Sequence, residues 1–297
     1  MLLLEVVSLL FDFSIIGGDD RLSYMAKNLS DMNFSVNTYK TMPIINDKKI
    51  KQTNSIKDAV TSSKNIICPI PLTRNGKSII NKFENCKLSI KELQDNLNPN
   101  QRFFAGCIPK EVFKFANEKN IFIYDYIKDN NFAIYNSIAT AEAAIAEAIL
   151  NNPINMHSSN CLVLGFGKCG KLIANKLKNL CKNVAICARN KNDRALANAY
   201  GYESFNINQL KTHIKNFQYI FNTIPIMILN EEILSNISKD SFILDITSVG
   251  TDLNACKEKS INAKISLAIP GKFKAKSSAE ILTNITLNTI NESEEKI

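Results

Sequence analysis

Residues 161–170 read CLVLGFGKCG. The apolar run Cys161 to Leu164 has the length and composition of a buried strand, and it breaks into glycines at Gly165, Gly167 and Gly170. In such a turn the first glycine permits a tight bend, the second lets backbone approach a pyrophosphate, and the third lets the following helix pack on the strand. From Lys168 onward, Leu172, Ile173, Leu177 and Leu180 recur at helical spacing, which predicts a helix over 168–180. A glycine turn alone is a weak signal; between a strand and a helix it predicts a dinucleotide site. The expected cofactor contacts are Gly165, Phe166, Gly167, Lys168, Cys169 and Gly170.

A second apolar strand, Val184 to Ala188, runs into Arg189-Asn190-Lys191. A site for NAD places a carboxylate roughly 20 residues past the glycines to hold the ribose 2′-hydroxyl. Here Ala188, Arg189 and Asn190 stand in that place. A carboxylate repels a 2′-phosphate, whereas a guanidinium binds it in bidentate fashion, so NADP is the expected cofactor and NAD the alternative.

The 297 residues are enough for two domains. With 45% hydrophobic and 22% charged residues, the chain falls in the ordinary globular class. Its formal charge of +8 is carried by dispersed lysines without interleaved aromatics. That pattern argues for a solvated surface attractive to small anions and against nucleic-acid binding. The eight cysteines include no C-x-x-C and there are only two histidines, so no metal site is expected. No run reaches the roughly 18 apolar residues of a membrane span. The opening MLLLEVVSLL lacks the basic flank and cleavage site of a secretory leader. We read it as an extension and expect a reducing, cytoplasmic setting.

Strands are predicted at 11–16, 34–39, 65–68, 102–105 and 121–124, with helices at 22–30, 55–63 and 110–118. Residues 46–54 read as a polar connection. An alanine-rich helix is predicted over 141–150, closed by Asn151-Asn152-Pro153. Later strands are expected at 219–222, 242–246 and 264–268, and a terminal helix over 277–289. The fold class is α/β: two doubly wound, Rossmann-like parallel-sheet domains with an interdomain cleft. The expected division is a Rossmann- or flavodoxin-like substrate-side domain over 1–135, joined by the C-terminal helix in 277–297; an interdomain helix over 136–152; and an NADP-binding domain over 153–276.

In order along nearly the whole chain, these landmarks resemble the A subunit of the dipicolinate synthases of spore-forming bacteria. The resemblance is carried by Ile16-Gly17-Gly18-Asp19 with Arg21, by Ala133-Ile134-Tyr135-Asn136-Ser137-Ile138 with Thr140 and Glu142, and by the glycine turn. It continues in Asn222-Thr223-Ile224-Pro225, Leu244-Asp245, Gly250-Thr251-Asp252 and Pro270-Gly271 with Lys276. It implies oxidation of a dihydrodipicolinate-type intermediate, from the diaminopimelate branch of lysine synthesis, to dipicolinate during sporulation. It also implies a nicotinamide cofactor and, as partner, the flavoprotein-like B subunit of dipicolinate synthase, and leaves a homo-oligomer open. Ala139, Ala143, Ala275 and Ala279 stand where the family tends to have proline or glycine, and Thr247 to Gly250 is shorter than the family's loop.

A small cyclic dicarboxylate needs cationic or hydrogen-bonding holders and a group to take a proton. Arg21 is the expected carboxylate clamp, and Asp19 is read either as a base or as the cap of the next helix. Asn136, Ser137 and Thr140 are expected at a helix start, as anion binders or caps, and Glu142 one turn further, as acid, base or solvated carboxylate. The expected catalytic set is Asp19, Arg21, Asn136, Ser137, Thr140 and Glu142; the substrate contacts are Arg21, Ser137, Thr140 and Lys272. Asn222, Thr223, Ile224 and Pro225 follow a strand on the nicotinamide half of the cofactor site. His157 is expected at the end opposite the cofactor and His213 on an exposed helix, which argues against a D-2-hydroxyacid dehydrogenase with a catalytic histidine. That reading and a non-catalytic NADP-binding subunit are the alternatives.

Overall fold

The computed structural model describes residues 10–43, 47–83, 86–267, 271 and 273–295. The chain divides into two compact units: one of residues up to Ala133 together with those from Ala275, and one of Ile134–Lys274.

In the first unit, β1 (Phe11–Ile16) leads into α1 (Asp20–Asp31), followed by β2 (Val36–Tyr39), β3 (Ile50–Gln52), α2 (Ile56–Thr61) and β4 (Ser63–Ile67). A small antiparallel pair, β5 (Ser78–Ile79) and β6 (Leu88–Ser89), precedes α3 (Ile90–Asn96), β7 (Arg102–Ala105), α4 (Lys110–Glu118) and β8 (Phe122–Asp125). The main sheet is six-stranded and ordered β3-β2-β1-β4-β7-β8. All its pairs are parallel, which is the Rossmann order and not the flavodoxin one. Alternate residues of β1 serve separate apolar clusters. Phe13 and Ile15 pack with Leu22, Met25 and Leu29 of α1, whereas Ile16 packs with Val60, Leu93 and Phe103. This two-faced burial explains why the strands read as apolar runs.

The second unit has β9 (Asn160–Leu164), α6 (Lys168–Leu177), β10 (Asn183–Cys187), α7 (Lys191–Ala199) and β11 (Glu203–Phe205). The short helix α8 (Leu210–His213) precedes β12 (Tyr219–Asn222), α9 (Glu231–Leu234), β13 (Phe242–Asp245), α10 (Leu253–Glu258) and β14 (Asn262–Ile265). Its sheet, β11-β10-β9-β12-β13-β14, is again six-stranded and wholly parallel.

Three sequence expectations need correction. The polar connection at 46–54 contains β3, an edge strand of three largely exposed residues and thus too short and polar to show alternation. The alanine-rich helix is α5 (Asn130–Asn151), which begins well before Ala141. Its start is set by Asp129, whose Oδ1 accepts the Phe132 N–H at 2.8 Å. Asn136, Ser137, Thr140 and Glu142 therefore lie inside the helix, not at its first turn. His213 is half-buried, its ring stacked on Phe205 at 4.6 Å.

Ala139 and Ala143 are buried within α5, where alanine has the best helix propensity and no positive φ is required. The terminal helix α11 (Ala275–Glu294) packs along α1 and buries Ala279 and Leu282 in the first unit's core. Among the described residues, no helix is long and apolar enough to cross a membrane and no cluster of metal-ligating side chains occurs. Residues 1–9 of the N-terminal extension, Pro270 and the expected substrate contact Lys272 lie outside the described residues.

Candidate functional site

The glycine turn joins β9 to α6 at the carboxyl end of the second sheet, next to the switch point where the strand order reverses between β9 and β12. Gly165 has φ +92°, and its N–H donates to Cys187 O at 2.8 Å. A Cβ on it would lie 2.7 Å from Thr223 Oγ1. A Cβ on Gly170 would lie 2.2 Å from the Gly165 carbonyl oxygen, so this glycine lets α6 meet the turn. Gly167 differs, because a Cβ there would have nothing within 4 Å. It is the N-cap of α6, and no side chain caps the helix. Lys168, Cys169 and Gly170 thus begin the helix with backbone N–H groups available to an anion. Phe166 is buried against Tyr202, and the Cys169 thiol donates to Ser137 Oγ at 3.4 Å. Burial pushes that thiol up.

At the end of β10, Ala188 is buried and Arg189 is exposed. Arg194, a residue without any marked motif around it, donates through Nη1 to Ala188 O at 2.8 Å and Arg189 O at 2.7 Å, pinning the loop that presents Arg189. Asn190 caps α7, accepting the Asn192 N–H at 2.8 Å. The first turn of α7 and Arg189 thus stand at one strand end, an arrangement suited to a phosphate.

On the other side of the switch point, Asn222 ends β12 and accepts the Ile224 N–H at 3.1 Å. The Thr223 hydroxyl donates to Leu164 O at 2.8 Å, leaving it only acceptor capacity, while Pro225 is exposed. Beside them lies a network that sequence reasoning missed. Asp245, at the end of β13, is fully buried and accepts from Asn222 Nδ2, Thr251 Oγ1, and both the backbone N–H and the hydroxyl of Thr247. In the sequence Asp245 stands out only as part of a family motif; that three separated residues grip it is a tertiary fact.

The other expected site residues are placed as follows. Thr140 donates its hydroxyl to Asn136 O at 2.9 Å, the usual back-bond of a mid-helix threonine. Asn136 Oδ1 is buried without a hydrogen-bond partner. Glu142 lies 3.1 Å from Lys176 Nζ and 3.6 Å from Lys274 Nζ. The hydrogen bond from Lys176, reinforced by both ammonium charges, holds its carboxyl below the usual glutamate range despite some burial. That environment suits an ionised partner of lysines and opposes a general acid. His157 precedes β9, at the end of the strand away from the glycine turn.

In the first unit, Asp19 caps α1, accepting the Arg21 N–H at 3.1 Å. Its carboxylate also accepts from Arg21 Nε at 2.9 Å and Nη2 at 2.8 Å, and Nη2 donates further to the Ile70 carbonyl. Arg21 is 7% exposed. The guanidinium edge expected to clamp a substrate is therefore occupied by Asp19 and the backbone.

Residues 12–127 match the family described as the N-terminal domain of the dipicolinate synthase A subunit, and residues 144–265 match the shikimate/quinate 5-dehydrogenase family. The chain is 31% identical over 225 residues to the A subunit of dipicolinate synthase from Bacillus subtilis strain 168, covering 74% of this chain and 75% of that protein. The crystal structure of the dipicolinate synthase A chain from Bacillus subtilis superposes with a TM-score of 0.84 at 26% identity, over 97% of this chain and 98% of that one. That of the dipicolinate synthase A subunit from Bacillus halodurans gives 0.84 at 23% identity, over 95% and 98%. The dehydrogenase-type Rossmann fold of the second unit supports an oxidoreductase and implies a nicotinamide cofactor. On its sequence and fold together, the chain belongs to the family of dipicolinate synthase A subunits.

Proposed function

We propose that this chain is an NADP-dependent oxidoreductase that converts a dihydrodipicolinate-type ring to dipicolinate. The observation that carries the reading is the uncapped, open start of α6 at Gly167, with Arg189 at the neighbouring strand end. The residues fit a dinucleotide: a β-carbon at Gly167 would project into free space, where a pyrophosphate could approach the backbone. The N–H groups of Lys168, Cys169 and Gly170 would bind the phosphates, and Arg189 the 2′-phosphate. When bound, the nicotinamide supplies the hydride acceptor. The ring of the substrate loses that hydride and one proton, and becomes aromatic.

We assign the proton to Asp19, whose side chain is 29% exposed, and make Arg21 its positioning partner. Ser137 and Thr140 are proposed ligand contacts on the second unit, and Lys272 a further holder of a carboxylate. The net charge of +8 attracts both the dicarboxylate and the cofactor. The naming of the relatives as A subunits supports a partner subunit, which we take to be the flavoprotein-like B subunit. Sporulation and a cytoplasmic location belong to the same proposal.

The test supplies the dihydrodipicolinate precursor to the purified chain, with and without the B subunit and with NADP+ or NAD+. The pyridine and nicotinamide absorbances are followed together. Stoichiometric appearance of pyridine product and reduced NADP is expected. Absence of the product with either cofactor, partner present, would overturn the assignment.

A further inference from the structure

We propose that the buried Asp245 carboxylate biases the second unit's site toward the oxidised form of its cofactor. The inference rests on the dinucleotide site proposed at the glycine turn and adds a redox-state preference to it.

The last residues of β12 and β13, Asn222 and Asp245, are paired in register, and both are 0% exposed. Asp245 Oδ2 accepts Asn222 Nδ2 at 2.9 Å and Thr251 Oγ1 at 2.6 Å. Its Oδ1 accepts Thr247 N at 2.6 Å and Thr247 Oγ1 at 2.7 Å. All four donors are neutral, and no lysine or arginine of the described residues pairs with Asp245. Among the described residues, the ion pairs of this unit lie elsewhere, at Glu142, Glu147, Glu231 and Glu232. The carboxyl group is thus held by neutral protein dipoles, with no cationic partner among the described residues, a costly arrangement for a buried carboxylate.

The loop after β13 is folded tightly onto this charge. Gly250 N–H donates to Thr247 Oγ1 at 3.1 Å, and a Cβ on Gly250 would lie 2.0 Å from Asn222 Nδ2 and 2.8 Å from Asp245 Oδ2. The Gly250 carbonyl in turn accepts the N–H groups of Ile228 and Leu229, joining this loop to the segment that leaves β12. One buried anion therefore shapes both the Asn222–Pro225 and the Thr247–Thr251 segments.

Its place in the sheet gives the charge a consequence. A dinucleotide lies across the carboxyl ends of a Rossmann sheet with its adenosine half over the strand after the glycine turn, here β10 with Arg189, and its nicotinamide half over β12. Asp245 is on the nicotinamide half. The oxidised nicotinamide carries a positive charge and the reduced ring none, and a buried charge is weakly screened by salt. An unpaired carboxylate there stabilises the oxidised form selectively, which suits a protein that must load an oxidant.

The test is calorimetric titration of the purified chain with NADP+, NADPH, NAD+ and NADH at matched ionic strength. The wild type should bind the oxidised member of the preferred pair about tenfold more tightly than the reduced one. Asp245→Asn should weaken oxidised-form binding by about the same factor and leave reduced-form binding nearly unchanged. Thr251→Val keeps the charge while removing one donor, and should keep the preference. Equal or tighter binding of the reduced form by the wild type overturns the proposal, whether or not Asp245→Asn folds. So does an unchanged ratio in folded Asp245→Asn, or a lost ratio in Thr251→Val, which would assign the effect to loop shape. Failure of all four dinucleotides to bind would instead overturn the underlying site reading, and this inference with it.

Discussion

The two units have the same strand order and begin their first crossover in the same way, yet their turns are built for different ends. Gly17, after β1, has φ +68° and donates to Tyr39 O at the end of the neighbouring β2. Gly165, after β9, has φ +92° and donates to Cys187 O at the end of β10. Beyond this point they diverge. In the first unit Gly18 N–H is taken by Ile80 O at 2.8 Å, a Cβ on Gly17 would meet that same oxygen at 2.7 Å, and Asp19 caps the helix. The chain's own residues 79–81 cover the turn. In the second unit no side chain caps α6, and Gly167 faces open space. A Rossmann crossover offers its helix N–H groups to an anion where the helix start is left uncapped and uncovered.

The sharpest way to break this contrast is Gly167→Val. Its φ of −76° is accessible to valine, so the protein should remain folded. A branched side chain should nonetheless displace the pyrophosphate and reduce dinucleotide affinity by at least about a hundredfold, nearly 3 kcal/mol. Unchanged affinity by calorimetry would make the open turn as structural as its counterpart. Next in size is Arg189→Ala, which removes a charge-assisted phosphate contact. It should cost NADP(H) binding about 1.5–3 kcal/mol and NAD(H) binding far less. An equal loss for both would remove the 2′-phosphate assignment.

The reciprocal experiment is Gly17→Ala. A left-handed φ and a Cβ against Ile80 O should lower stability by about 1–3 kcal/mol in denaturant titration, with dinucleotide affinity unchanged. A loss of affinity with no loss of stability would reverse the roles given to the two turns. The smallest effect concerns Glu142, whose carboxyl is held below its ordinary range chiefly by Lys176. A carboxyl lowered in the folded state stabilises above its unfolded pKa and loses that contribution as pH falls through the folded one. The stability difference between wild type and Glu142→Gln should be under about 1 kcal/mol near neutrality, given the exposure of the pair. It should shrink through the acidic glutamate range; a difference that grows on acidification would contradict the ion-pair geometry.

Legibility followed the range of the interactions. The glycine turn was readable because its strand, bend and helix are contiguous, and the loss of an acid at Arg189 was readable because the strand end is marked locally. The start of α5 was not, since Asn130 to Tyr135 carry no strong periodic signal and the decisive cap is one side chain, Asp129. Edge strand β3 was missed because three residues cannot display alternation.

Read alone, the chain determined two Rossmann-like units, a glycine turn of the dinucleotide-binding pattern at Gly165 to Gly170 and a cation where an NAD site has an acid. Each depends on neighbouring residues and on backbone rules that act within a few positions. Only the tertiary structure decided that Arg21 binds Asp19 and Ile70 O, that residues 79–81 close over the first turn, and that Thr247, Thr251 and Asn222 converge on Asp245. The physical reason is that a hydrogen bond is satisfied by whichever partner the fold brings within about 3 Å, and spacing along the chain does not say which partner that will be.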